Sequence, residues 1–270
     1  MYDYKVTDLI VKSEIKVNNG YVTLRVPQVK EIIDNKQFES YVSVFTLVTR
    51  QLFAAYREVD ELEDAFPTSW HMLWNEQMNV QIGGIYGEGK KLTDVMLESL
   101  SFWSGFPIKE LDDKGDEKGF MILKNQQKIL HIGTEWVIDY EEFISISRFI
   151  KTVTSWQYPE DDVPQRPMTD GVYASWMNFY KGKQETNKKR KKTDTMANAI
   201  LALSVSMESY LPIDEILEMN LFVFYKTIEF LEKKDAYDTQ WRVFSLDNID
   251  RSKVPQPKKH WKQEAKIIID

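Results

Sequence analysis

Cysteine is absent from the 270 residues. The chain therefore holds no disulfide framework, no thiolate metal site, no iron–sulfur cluster and no cysteine nucleophile. Only three histidines are present, His71, His131 and His260. They lie too far apart in sequence for HExxH or any paired-histidine zinc pattern. No run of about 18 apolar residues exists, the length a membrane-spanning helix needs. The first 17 residues are broken by charge every few positions, unlike a signal peptide. What is present is a globular composition: 43% apolar, 13% aromatic and 29% charged. A chain of this length buries a core without staples, as one large domain or two small ones.

Charge is unevenly spread. The net charge is −7, which argues against nucleic acid as a partner of the whole chain. Yet the segment 181–192, KGKQETNKKRKK, carries seven basic residues and one acid. A second basic stretch runs over 251–266, and acids gather at 57–64 (REVDELED) and 110–117 (ELDDKGDE). Runs of this kind are most often solvated surface, and they also steer association with partners or copies.

Periodicity predicts a mainly α protein (α+β), a bundle-like set of helices with one N-terminal and one central small β-hairpin. The first hairpin is expected over 14–26 around Asn19-Gly20, with Val22, Leu24 and Val26 facing in. Pro27 ends its second strand, and a short helix follows over 28–33. Residues 36–56 read as the clearest helix, with Phe38, Tyr41, Val42, Phe45, Thr49, Leu52, Phe53 and Tyr56 on one face. Ser69 is placed as the cap of a short helix bearing Trp70, Leu73 and Trp74. A helix over 91–103 follows a glycine-rich loop. The central hairpin is expected at 120–132 with its turn near Asn125-Gln126, and a third strand at 136–138. Asp139 caps a helix whose apolar face is Phe143, Ile146, Phe149, Ile150 and Val153.

Beyond it, 158–169 holds three prolines and reads as a linker between an N-terminal lobe (1–157) and a C-terminal helical lobe (170–246), with a basic tail at 247–270. One continuous unit is the alternative. In the C-terminal lobe a helix over 171–192 opens with the stripe Tyr173, Trp176, Phe179 and Tyr180. Asp194 is placed as the cap of a helix bearing Met196, Ile200, Leu203 and Met207. A short helix at 212–219 and one over 221–234 capped by Asn220 complete the reading.

Candidate chemistry is sparse. Residues 84–91, GIYGEGKK, nearly match the phosphate-binding loop, with Val80 to Ile82 as its leading strand. Lys91, however, replaces the hydroxyl that binds Mg²⁺, and no alternating βαβ pattern surrounds it. The acids at 112–117 miss the calcium-loop spacing. Asp161 and Asp162 are adjacent, so on extended chain they point apart. No nucleophile, base and orienting group assemble, so no enzyme, metal or cofactor is expected. The candidate site is a partner-binding one: Trp156, Tyr158, Trp176 and Tyr180, with Lys188, Lys189, Arg190, Lys191 and Lys192 to attract acidic segments. The same aromatics at helical spacing suit a core equally well.

One layout runs along the chain: LRVPQVKEII at 24–33, YVSVFT at 41–46, then SFWSGFPIKEL, an acidic turn, FMILKNQQKIL and WVIDYEEFISISRFIKTV. KKRKK before a helix, MESYLPIDEILEMNLFVFYKTIEFLEKKDAYD, IDRSKV and HW complete it. In order and spacing this resembles the tail assembly chaperones of phages that infect Gram-positive bacteria, over about residues 24–261. The loop at 83–91 and the proline segment depart from that layout as local elaborations. The resemblance implies a non-catalytic protein of the host cytoplasm that binds the tape measure protein, and by extension the tail tube protein, and keeps it soluble during tail assembly. Self-association is a further expectation. Two other classes stand beside it: a structural virion component such as a connector or baseplate subunit, and a nucleic-acid-binding phage protein acting through Lys188 to Lys192.

Overall fold

The computed structural model describes residues 4–17, 22–110, 120–124, 127–128, 130–131, 134–135, 137–155, 163–189, 195–206, 210–246 and 260, with backbone alone at 109–137, 187–189 and 195. The protein is mainly helical with a small N-terminal β-hairpin. A short helix α1 (Val6–Val11), for which the sequence offers no clear period, leads into the hairpin of β1 (Glu14–Val17) and β2 (Val22–Arg25). The strands pair antiparallel with Val17 opposite Val22. Ile15, Val17, Val22 and Leu24 are buried, as their alternation requires. The expected turn residues Asn19-Gly20 lie outside the described residues.

After Pro27 comes α2 (Val29–Ile33), then α3 (Phe38–Thr46) and α4 (Thr49–Leu52). Residues 36–56 are thus not one helix. The chain is extended at Leu47 and Val48, which breaks it in two. Tertiary contacts explain the break. The Thr49 hydroxyl donates to the carbonyl of Phe66. Arg50, only 5% exposed, donates Nε to the Pro164 carbonyl at 3.0 Å and pairs with Asp60 and with Glu63 at 3.1 Å. A continuous helix would carry Thr49 and Arg50 away from these partners. A run rich in β-branched residues is cheap to interrupt.

Next come α5 (Val59–Ala65), α6 (Ser69–Leu73), α7 (Glu76–Gly83) and α8 (Leu92–Ser104). Thr68, not Ser69, is the residue before α6, because the Ser69 hydroxyl is spent on the Val44 carbonyl at 2.6 Å. Helix α8 is the pillar of the molecule. Its Trp103 is fully buried, edge-on to Phe149 at 6.2 Å, and donates Nε1 to the Tyr41 carbonyl at 3.3 Å. Ser99 donates to the same carbonyl at 2.7 Å, locking α8 to α3. Gly105, left-handed at φ 72°, ends α8 as only glycine does without strain. Short strands follow: β3 (Ile108–Glu110), β4 (Phe120–Lys124), β5 (Gln127–Lys128), β6 (Leu130–His131), β7 (Thr134–Glu135) and β8 (Val137–Ile138). Backbone pairing sets Ile108 opposite Ile122 and Phe120 opposite Ile138. The turn expected for the central hairpin, Asn125-Gln126, lies outside the described residues, as does the acidic turn at 112–117.

Helix α9 (Tyr140–Val153) matches its sequence reading in full. The Asp139 carboxylate accepts the backbone N–H of Glu141 at 2.8 Å and of Glu142 at 3.1 Å. Burial pushes its pKa up, but the hydrogen bonds from the Glu142 side chain and from these two backbone groups together hold it below the ordinary carboxylate value. The described part of the proline segment is anchored. Arg166 pairs with Asp64 at 2.8 Å, Met168 is buried and its N–H donates to Asp60 Oδ2 at 2.6 Å. Helices α10 (Asp170–Lys189), α11 (Thr195–Ser206), α12 (Ile213–Glu218) and α13 (Leu221–Phe244) complete the chain. The Asn220 side chain caps α13, accepting from Phe222 N at 2.8 Å. The helix runs ten residues past the expected end at 234, its later turns carrying a Trp241–Phe244 edge contact at 5.7 Å. The proposed cap Asp194 and the basic tail, His260 apart, lie outside the described residues.

One buried cluster takes in Leu9, Leu24, Trp103, Phe149, Ile200 and Phe224, so residues before 158 and after 169 share it. Residues 9–30 and 218–221 meet directly. Leu221 N donates to the Pro27 carbonyl and Val29 N to the Met219 carbonyl, both at 2.9 Å. Asn220 Nδ2 reaches the Leu9 carbonyl at 2.7 Å, and Lys30 pairs with Glu218 at 2.7 Å.

Candidate functional site

Two of the predicted partner-binding aromatics fall on α10 and are brought together. Trp176 and Tyr180, one turn apart, stack with centroids 6.0 Å apart at 28°. Phe179 tilts against Trp176 at 5.5 Å and is largely exposed. The Trp176 ring is not free, however: Nε1 donates to the Ala54 carbonyl at 2.6 Å. The Tyr173 hydroxyl donates to the neighbouring Ala55 carbonyl at 3.3 Å. Arg57 adds an ion pair to Asp170 at 2.9 Å. The stripe therefore moors α10 to the turn after α4, and leaves Phe179 and part of Tyr180 outward. Lys188 and Lys189 form the last residues of α10. Trp156, Tyr158, Arg190, Lys191 and Lys192 lie outside the described residues.

A second surface was not anticipated. A groove of about 680 Å³ opens where α2, α3, the end of α9, α11 and α13 converge. Its walls are mostly apolar, with Ile32, Ile33, Phe38, Val42, Met196, Ile200 and the ring of Tyr225, and the hydroxyl residues Ser43, Thr46 and Thr154 lie among them. Asn35, Lys36 and Glu39 give it a polar edge. Burial, and after it the nearby charge of Glu39, raises the Tyr225 pKa above the ordinary phenol value, so the hydroxyl stays neutral. The size lies within the usual range for binding clefts. No histidine lines it, and among the described residues no group of three acidic or histidine side chains is placed to hold a metal. The arrangement is suited to taking up apolar side chains. Its members come from four separate stretches of chain, so no local pattern announces it. The 36–56 helix had, moreover, placed Val42 simply on a core face.

The near-match to a phosphate-binding loop resolves into a structural corner. Val80 to Ile82 belong to helix α7, not to a strand. Lys90 Nζ is paired with Glu98 at 3.0 Å, and the Lys91 N–H is taken by Asp94 Oδ2 at 3.0 Å. A Cβ on Gly83 would sit 2.4 Å from the Lys90 carbonyl oxygen, so glycine there is needed for α7 to touch the start of α8. Asn79 and Thr93 close the corner with two bonds, at 2.8 and 2.9 Å. His71 packs edge-on to Tyr140 at 5.2 Å, and burial lowers its basicity.

Comparison with family models, with curated proteins and with solved structures yields no match for this chain.

Proposed function

We propose that the chain is a non-catalytic assembly chaperone of the phage tail, acting in the host cytoplasm. It holds amphipathic helical segments of the tape measure protein and keeps them soluble until the tail tube closes around them. The observation that carries this reading is the apolar groove between α2–α3 and α11–α13, about 680 Å³ in volume. A helix presenting apolar residues at i, i+3 or i+4, and i+7 fits such a groove, with polar edges to set its register. The resemblance of the segment order to that of tail assembly chaperones supports the same reading. The exposed part of the α10 aromatic stripe gives a second contact area.

The test is co-expression with the tape measure protein of the same genome, followed by size-exclusion chromatography of the soluble fraction. The expected result is co-elution of the two chains, with the tape measure insoluble when expressed alone. Ile33→Asp, at a partly exposed position in the groove wall, is expected to cut recovery of the soluble partner several-fold while the melting temperature holds. A tape measure protein that is equally soluble alone, or that never co-elutes, overturns the reading.

A further inference from the structure

The chain carries a segment whose composition matches the groove between α2–α3 and α11–α13. Residues 266–270 read KIIID, with Ile267, Ile268 and Ile269 held between Lys266 and Asp270. In the 19 residues before them, DNIDRSKVPQPKKHWKQEA, no two apolar residues adjoin. The groove has the complementary pattern. Its wall presents apolar side chains, Ile33 among them at 45% exposure. Its edge carries one acid and one base, Glu39 and Lys36, both exposed. Lys266 and Asp270 flank the isoleucines with the opposite charges.

One contact sets the reach of this segment. The His260 ring packs on Tyr237 with centroids 5.0 Å apart. Tyr237 lies two turns before the end of α13 at Phe244, so by His260 the chain has turned back toward the start of that helix. Tyr225, on the groove wall, is 12 residues earlier on α13. That is about 18 Å along the axis and roughly a third of a turn around it. The seven residues from His260 to Ile267 span about 23 Å when extended. The same stretch as a helix would cover only about 10 Å. Extended chain therefore brings Ile267 level with Tyr225, and Ile268 and Ile269 past it. In that form Trp261, Gln263, Ala265, Ile267 and Ile269 share one side, which holds no charge, while Lys262, Glu264 and Lys266 share the other. An uncharged side against α13 and a charged side in water is the arrangement such a path requires.

We propose that residues 266–270 of this chain fold back along α13 and occupy the groove in cis, with the isoleucines inside, Lys266 toward Glu39 and Asp270 toward Lys36. A tethered segment needs little affinity. At an effective concentration on the order of 1 mM, an intrinsic dissociation constant of about 0.1 mM fills roughly nine-tenths of the grooves. A helix entering from outside must displace it, and binds about tenfold more weakly than to an empty groove. That competition rests on the proposed function, whereas the occupancy does not.

The absence of cysteine makes introduced thiols readable in the full chain. Ile33→Cys with Ile268→Cys, under mild oxidant at low micromolar concentration, is expected to close an intramolecular disulfide at least tenfold faster than Val80→Cys with Ile268→Cys. Val80 is 53% exposed on α7 and does not line the groove. In a second arm the lone thiol of Ile33→Cys is titrated with a maleimide. Adding Ile267→Asp and Ile269→Asp is expected to speed that reaction about tenfold, with the circular dichroism melt unchanged. Equal closure from 33 and 80 overturns the proposal. So does a disulfide that joins two chains instead of one, or a thiol at 33 that reacts no faster after the two substitutions. Neither arm contains the tape measure protein, so a failure of the chaperone reading leaves both results interpretable.

Discussion

Helices α9 and α11 are both rich in apolar residues and both pack on the central core, yet only α9 is complete on its own. In α9 Phe143, Ile146, Phe149, Ile150 and Val153 are buried, while Glu141 and Arg148 face solvent. Its entry is fixed by Asp139. In α11 Ile200 and Leu203 are buried, and the opposite side still shows Leu201 and Val205. A helix whose polar side is polar needs nothing further. One whose outer side shows Leu201 and Val205 leaves apolar surface in water. The two therefore differ not in how firmly they are held but in what they offer.

This contrast can be broken by substitution. The largest effect is expected at Phe149, fully buried on α9 against Trp103. Phe149→Ala should cost about 3–5 kcal/mol in chemical denaturation, the usual penalty of such a cavity. Next comes the α9 cap: Asp139→Ala should cost about 1 kcal/mol. That loss should depend on pH. The Asp139 pKa is held below its unfolded value, so its contribution is present above the unfolded carboxylate range and disappears as pH falls through the folded value. Wild type and variant should therefore converge in stability in acid, and a difference that persists there would show that the cap does not act through its charge. The smallest effect is expected on α11. Val205→Ser, at a mostly exposed position, should move stability by no more than about 0.5 kcal/mol. A large loss there would mean that the outer face of α11 is already covered within one chain.

The same contrast explains what the sequence reveals. Helix α9 is legible to the residue, because a one-sided period and an acidic cap point to the same answer. Asn220 is likewise legible as a cap, and the N-terminal strands as an alternating pair. The break at Leu47 and Val48 is not, because its cause lies in partners of Arg50 as far away as Gln165, 115 residues along the chain. The outward side of α11 is hidden for another reason. The spacing of Met196, Ile200 and Leu203 picks out the buried side, but the outer side carries no charge to mark Leu201 and Val205 as exposed. The groove escapes notice because four segments must meet before it exists. Of the candidate site, the Trp176–Tyr180 pair is legible as a cluster, but its mooring to Ala54 is a tertiary fact.

The join between residues 27–29 and 219–221 also bears on the order of events during synthesis. Its hydrogen bonds span some 190 residues, and the Leu9 carbonyl finds its partner only in Asn220. Contacts of such long range form slowly, since a large loop must close before they repay it. On the ribosome, α1 and the β1–β2 hairpin emerge well before residues 219–221 and are therefore among the last parts to be finished. Until residue 221 has left the exit tunnel, Pro27 and Leu9 have water in place of their partners, and the nascent chain keeps an open seam along α1 and the hairpin.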